Sequence, residues 1–342
     1  MNAENSKVQI EQGQALVAFA LMLDAGDHQI FTPGAGDKVF SGRAGKAPEI
    51  RPNGIVSGRN LGSVAVSGSD DVVDCAAFSA YSIGVEHAVA ADSDIAITRP
   101  ATDKASISSV TMDSTGAIAV VAGTDGLSTV FSEERGATGG PPLIAVDSVE
   151  LFQVRVNTSA AAPITADEIF QVVGQHSERF DYPAFDVKNV GDGSSAETSA
   201  ETNAHVKLSA ALPLSHTGAI AKRVYAQYYT PVYADVQKTL DFVPAEISHS
   251  VSSQQYYGGS SGSTSESLGQ AGFTALLNNG VADALVADKN QVLTVKYFPD
   301  RNQAAYIITQ GKLGISRTFP VANQIQAAVT ISAESASVEF TS

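Results

Sequence analysis

Ile325-Gln326-Ala327-Ala328-Val329-Thr330-Ile331-Ser332-Ala333, near the end of the chain, decides the fold class. Ile325, Ala327, Val329, Ile331 and Ala333 alternate with Gln326, Ala328, Thr330 and Ser332, the period-two pattern of a strand with one face buried and the other wetted. Working back from it, Leu313 to Phe319, Ala305 to Gln310, Val292 to Phe298, Arg223 to Val236 and Val206 to Leu212 are further strand candidates. From Leu61 to Val156, short runs such as Val64-Ala65-Val66, Ala80 to Val89, Ile107 to Met112 and Ala117 to Ala122 are parted by turn signals. That spacing marks a sandwich or barrel. Asp113-Ser114-Thr115-Gly116 and Gly123-Thr124-Asp125-Gly126 read as hairpin-type loops in which glycine supplies positive φ. The chain is expected to be mainly β.

Its 342 residues suit two β-domains of roughly 150 residues each better than one core. Residues 1–60, punctuated by Gly and Pro, read as an N-terminal extended arm with one short strand or helix at Ala15 to Leu23. Residues 61–157 form a first β-domain and residues 164–342 a second. The second opens on the clearest helix signal: Thr165-Ala166-Asp167-Glu168 is a capping box, Ile169, Phe170, Val172 and Val173 share a face, and Gly174 supplies a stop. Two low-complexity stretches, Gly191 to Asn203 and Tyr257 to Gly269, read as mobile loops.

Composition excludes several function classes. Thirty-six acidic residues against 21 basic ones give a net charge of −15, which repels a phosphate backbone instead of neutralising it. Cys75 is the only cysteine, so no intramolecular disulfide can form, and its apolar setting beside Ala76, Ala77 and Phe78 suggests a buried thiol. Met1 to Ile10 lacks the apolar core of a signal peptide, and Ala15 to Leu23 has about half the length needed to span a bilayer, so neither export by a leader nor a membrane span is expected. The six histidines show no metal-ligand spacing, and Asp70-Asp71 and Asp92-Ser93-Asp94 lack the glycine and distant glutamate of a calcium loop. Gly258-Gly259-Ser260-Ser261-Gly262 formally matches a nucleophile elbow, but its flanks, Tyr256-Tyr257 and Ser263-Thr264-Ser265, lack the strand and helix that strain such a serine. No catalytic residue, cofactor or metal is expected, and the chain reads as a non-enzyme.

Tyr225, Tyr229 and Tyr233 fall on one face of an extended strand, with Tyr228 on the other. They form either a core stripe or a subunit interface, where tyrosine is favoured because its ring buries well and its hydroxyl tolerates water. With Tyr257, Gly258, Ser260 and Ser263 of the Gly/Ser-rich stretch, which is too polar to pack in a monomer, they are the candidate inter-subunit contacts.

His176-Ser177-Glu178-Arg179-Phe180-Asp181-Tyr182-Pro183, Tyr229-Thr230-Pro231-Val232-Tyr233, Asp241 to Ser253, Phe298-Pro299-Asp300-Arg301 and Gln310-Gly311-Lys312-Leu313-Gly314-Ile315-Ser316-Arg317-Thr318-Phe319-Pro320 resemble the major tail protein of Mu-related siphophages, over roughly residues 165 to 342. The resemblance implies a tail-tube-type β-sandwich or barrel with a short flanking helix, beside the second β-domain in the N-terminal half. It further implies stacked homo-oligomeric rings, either hexamers or pseudo-hexameric trimers, in a virion tail assembled in the host cytoplasm. Tail terminator, tail tip and tape measure proteins would be partners, and genome DNA would pass through without sequence-specific binding. A lumen lined by acidic and small polar side chains and an arm, Met1 to Gln14, that orders only on assembly are further expectations. Val110 to Gln153 also resembles a β-module of baseplate and fibre proteins, which leaves two alternatives: a carbohydrate-binding or host-attachment module, and a capsid or decoration protein. Against the first of these, residues 61–157 hold only Phe78, Tyr81, Phe131 and Phe152 as aromatic platforms.

Overall fold

In a computed structural model, residues 5–26, 28–33, 39–51, 53–56, 63–171, 185–190, 204–211 and 224–340 are described. The protein is mainly β, with 55% of residues in strands and 3% in helices. Its largest sheet has nine strands, all paired antiparallel. In spatial order they are Thr239–Val243, Ala271–Leu277, Ile325–Ala333, Tyr306–Thr318, Val292–Phe298, Lys7–Leu21, Tyr225–Val236 and Glu49–Ile50, with Val338–Phe340 beside Tyr306–Thr318.

Alternation places the core of this sheet. Ala271, Phe273, Ala275 and Leu277 are buried and lie opposite Ile331, Val329, Ala327 and Ile325, so the strand pair turns one continuous apolar face inward. Val8, Ile10, Leu293, Val295 and Leu313 complete that cluster. The pattern legible at Ile325–Ala333 is therefore repeated by its neighbours.

Lys7–Leu21 overturns the expectation of an N-terminal arm. It is a 15-residue strand inside the sheet, paired with Tyr225–Val236 on one side and Val292–Phe298 on the other. The cause is Glu11, which follows Ile10 and so points to the opposite face, where it is wholly buried. Its carboxylate accepts from the Ser41 hydroxyl at 2.6 Å, the Thr294 amide at 3.0 Å and the Gln14 side-chain amide at 3.0 Å. Arg43 stands 3.6 Å from it, donates to the Glu11 carbonyl at 2.8 Å and reaches Asp288 at 3.0 Å. A buried charge is tolerated only with such partners, and these fix the strand between three other segments.

The helix expected from Thr165 is a single 3₁₀ turn, Ala166–Glu168, followed at once by the strand Ile169–Phe170. The capping box forms, with the Glu168 carboxylate accepting from the Thr165 amide at 2.8 Å and from its hydroxyl at 3.0 Å. Ile169 and Phe170 then pair with Val154 and Gln153, so a sheet captures the apolar residues before a second turn can build. Val172, Val173 and Gly174 lie outside the described residues, as do Gly191 to Asn203 and His176 to Pro183. The one α-helix described is Ala284–Ala287.

A four-stranded sheet, ordered Ile118–Ala122, Ser106–Met112, Val149–Val156, Ile169–Phe170, dominates the N-terminal half. It packs with Val72–Cys75 and Phe78–Ser82 around Val73, Cys75, Val110, Met112 and Leu151. Here too a buried carboxylate is a fastener. Glu150 accepts from Ser109 at 2.6 Å and from Arg135 at 2.6 Å, while Arg155 returns a bidentate pair to Glu133 at 2.7 and 3.0 Å, so reciprocal ion pairs pin the loop after Ala122 onto Val149–Val156.

The two regions meet at the turn after Phe78–Ser82. Ile83 and Gly84 both have positive φ, +53° and +74°, the geometry of a tight two-residue hairpin turn. Gly84 is also required sterically, because a Cβ there would lie 2.5 Å from the Phe19 side chain. Arg51 lies between Phe19 and Tyr81, 4.2 and 5.1 Å from their ring centres. Beside it, Asp147 accepts from Asn53 at 3.1 Å and from the Tyr225 hydroxyl at 2.8 Å.

Candidate assembly surface

The stretch expected to be a mobile loop is one side of a two-stranded ribbon. Ile247–Tyr256 pairs with Gly259–Leu268 through ten consecutive residue pairs, and all twenty residues are exposed. At about 3.3 Å per residue the ribbon projects roughly 30 Å. It continues the hairpin whose lower part, Thr239–Val243 with Ala271–Leu277, forms the edge of the large sheet.

Each feature of the ribbon follows from its sequence. At the tip, Gly258 takes φ +99°, which side-chain-bearing residues rarely adopt, and lets Tyr256 turn back to Gly259. One face is a hydroxyl ladder: Ser248 with Ser267 at 2.9 Å, Ser250 with Ser265 at 2.6 Å, Ser252 with Ser263 at 2.8 Å. The other face carries Ile247 opposite Leu268, His249 opposite Glu266 at 3.4 Å, and Val251 opposite Thr264. At the root Ala245 is buried, donating its amide to the Ser337 hydroxyl at 2.8 Å and accepting the Ser337 amide at 2.7 Å. Pro244, which has no N–H, breaks the ladder between the two halves of the hairpin and gives the ribbon its own direction.

The expected contact residues separate into two groups. Tyr257, Gly258, Ser260 and Ser263 lie together on the ribbon, with Tyr257 fully exposed at the tip and Ser260 opposite Gln255. Tyr225, Tyr229 and Tyr233 lie in the large sheet and are engaged within the chain. Tyr225 is buried and bonds Asp147, the Lys46 ammonium stands 4.1 Å from the Tyr229 ring, and Lys296 stands 4.4 Å from the Tyr233 ring. Tyr225 is therefore withdrawn as a contact, because reaching a neighbour would break the junction with Asp147. Sequence reasoning missed Ser337 and Ala245, whose pairing spans 92 residues and carries no local signal.

No group of three or more His, Cys, Asp or Glu side chains among the described residues is placed to hold a metal ion. Asp71 instead pairs with Arg99 and Asp94 accepts from the Ser67 hydroxyl at 2.9 Å; both take positive φ, Asp71 in a turn and Asp94 at the register shift within the strand Asp92–Ala96. Ser260, within the glycine-serine pattern, sits in an exposed strand with no helix after it, so nothing strains or activates its hydroxyl. Burial, aided by the Asp92 charge, pushes the Cys75 thiol up to about 11, which leaves it unreactive near neutrality. No described helix is long and apolar enough to cross a membrane. No protein-family model matches the sequence, and no curated protein matches it closely enough to count as a relative.

Proposed function

We propose that the protein is a structural subunit that assembles with copies of itself, and that the assembly is the tail tube of a long-tailed phage. The observation that carries the reading is the ribbon: twenty exposed residues in register, projecting from the edge of a nine-stranded sheet. An isolated two-stranded ribbon is marginal in water, and none of the twenty residues of this one is buried. A long, regular projection of this kind gains its stability from a neighbour. The resemblance over residues 165 to 342 supplies the tube, with tail terminator, tail tip and tape measure proteins as partners in the virion. The net charge of −15 suits a conduit that DNA passes without adhering, since attraction at each stacked ring would retard it.

Electron microscopy of the purified protein tests the reading directly. Rings or tubes are expected from the full chain, and a variant lacking residues 248–267 should stay folded and remain monomeric. Tubes of normal length from that deletion, or a full chain monomeric at all concentrations, would sink it.

A further inference from the structure

Resting on the self-assembly reading, we infer that a groove of the large sheet lined by Lys7, Lys238 and Arg301 receives the acidic edge strand Asp92–Ala96 of a second copy.

Three segments far apart in sequence build the groove: the start of Lys7–Leu21, the turn between Tyr225–Val236 and Thr239–Val243, and the turn after Val292–Phe298. It encloses about 820 Å³, and its walls are largely polar, with Ser6, Gln237 and Asn302 between the cations. A cleft for a small apolar molecule would be lined mostly by hydrophobic side chains, so this one suits a charged occupant. Among the described residues no carboxylate lies within ion-pair distance of Lys7 or Lys238. Asp235, the one acid in the lining, accepts from the Gln9 side-chain amide at 2.7 Å.

The cations are also held in place. The Lys7 ammonium stands 4.4 Å from the Phe298 ring, and the Arg301 guanidinium donates to the Asn5 and Ser6 carbonyls, both at 3.3 Å. Lys238 takes φ +56° while its carbonyl accepts the Leu276 amide at 3.0 Å. Glycine or asparagine would occupy that left-handed position with less strain, yet a lysine stands there. In a chain of net charge −15 the groove is a local reversal of sign, and a cleft walled by one sign of charge concentrates its field on what enters.

The complementary surface belongs to the same chain. Asp92–Ala96 is the edge of a three-stranded sheet and, with its neighbour Val72–Cys75, carries Asp74, Asp92 and Asp94. The Asp94 amide donates to the Asp74 carboxylate at 3.0 Å, and none of the three acids has a Lys or Arg within ion-pair distance among the described residues. Groove and edge are thus two different patches of opposite sign, neither neutralised within its own chain. Joined between copies they make a heterologous contact, which a ring rotation or a same-way-up stack can repeat.

Charge reversal tests the pairing at two exposed positions, Lys238→Glu and Asp92→Lys, with circular dichroism confirming the fold and sedimentation reading the assembled fraction. Each reversal alone sets like charges together and should lower that fraction roughly tenfold. The double variant restores opposite signs and should recover most of it. Loss in Lys238→Glu with Asp92→Lys unchanged means that a different anion occupies the groove, and overturns the pairing. Full assembly of both single variants, or no recovery in a folded double variant, overturns it as well while leaving self-assembly in place. Failure of the unmodified chain to assemble overturns the self-assembly reading and this inference with it.

Discussion

The first half of the strand Lys7–Leu21, up to Gln14, and most of the ribbon Ile247–Leu268 are polar, yet they end in opposite environments. The first lies in the middle of the largest sheet, with strands on both sides and a wholly buried Glu11. The second has one partner strand, all its residues exposed, and both outer edges open. Strand geometry in each comes from available partners more than from intrinsic preference, as β-propensity measurements lead one to expect. The difference is what flanks them: further strands of the sheet on both sides for the N-terminal strand, and open outer edges for the ribbon.

The largest effect should come from striking the buried end of this contrast. Glu11→Ala leaves the Ser41 hydroxyl, the Thr294 amide and Arg43 around an empty buried site. Breaking a buried charge network by removing one member costs roughly 3–5 kcal/mol. Urea denaturation should show that loss in the midpoint, and a change under about 1 kcal/mol would mean that Glu11 does not hold the strand. A smaller effect is expected at the junction of the two regions. Gly84→Ala places a Cβ against Phe19 at positive φ, and a loss of about 1–3 kcal/mol follows from strain of that kind. The same measurement checks it.

The ribbon should respond in the reverse sense. Ser250→Ala with Ser265→Ala removes one rung of an exposed ladder, and stability should change by no more than about 0.5 kcal/mol, as for exposed positions generally. A large fall in the melting temperature would show that the ribbon is part of the monomer's own fold and would erase the contrast.

How far the sequence discloses these regions depends on the distance to their partners. Ile325–Ala333 was legible because its alternation is complete within nine residues. Lys7–Leu21 was not, because Glu11 looks like a surface acid until Ser41 and Thr294, 30 and 283 residues away, are brought to it. Ala271–Leu277 alternates as cleanly as Ile325–Ala333, but Gly272 and its place beside the Gly/Ser-rich stretch hid it. At the candidate surface, glycine and serine signalled a loop, although serines at alternate positions also build a ladder across two strands. Tyr225, Tyr229 and Tyr233 were correctly placed on one strand, and their engagement with Asp147, Lys46 and Lys296 could not be read from spacing.

The smallest expected effect lies at a turn that belongs to neither extreme and so calibrates both. Asp113 closes the hairpin between Ser106–Met112 and Ile118–Ala122, accepting from the Thr115 hydroxyl at 2.7 Å, the Thr115 amide at 2.8 Å and the Ala117 amide at 3.0 Å. The Thr115 hydroxyl first, then the Ala117 amide, hold its carboxyl below the ordinary 3.8 against a small opposing contribution from burial. A carboxylate depressed on folding contributes stability that is fully present above its unfolded pKa and is lost as pH falls through the folded value. The turn should therefore contribute a constant amount from neutrality down to about pH 4 and progressively less below. Because solvent screens the effect, a melting-temperature difference of about half a degree is expected. Asp113→Asn retains an acceptor but cannot titrate, so the difference between its melting curve and that of the unaltered chain should be flat above pH 4 and shrink below it. A difference that instead grew as pH fell would mean that the folded state favours the protonated acid, contrary to the bonds that close this turn.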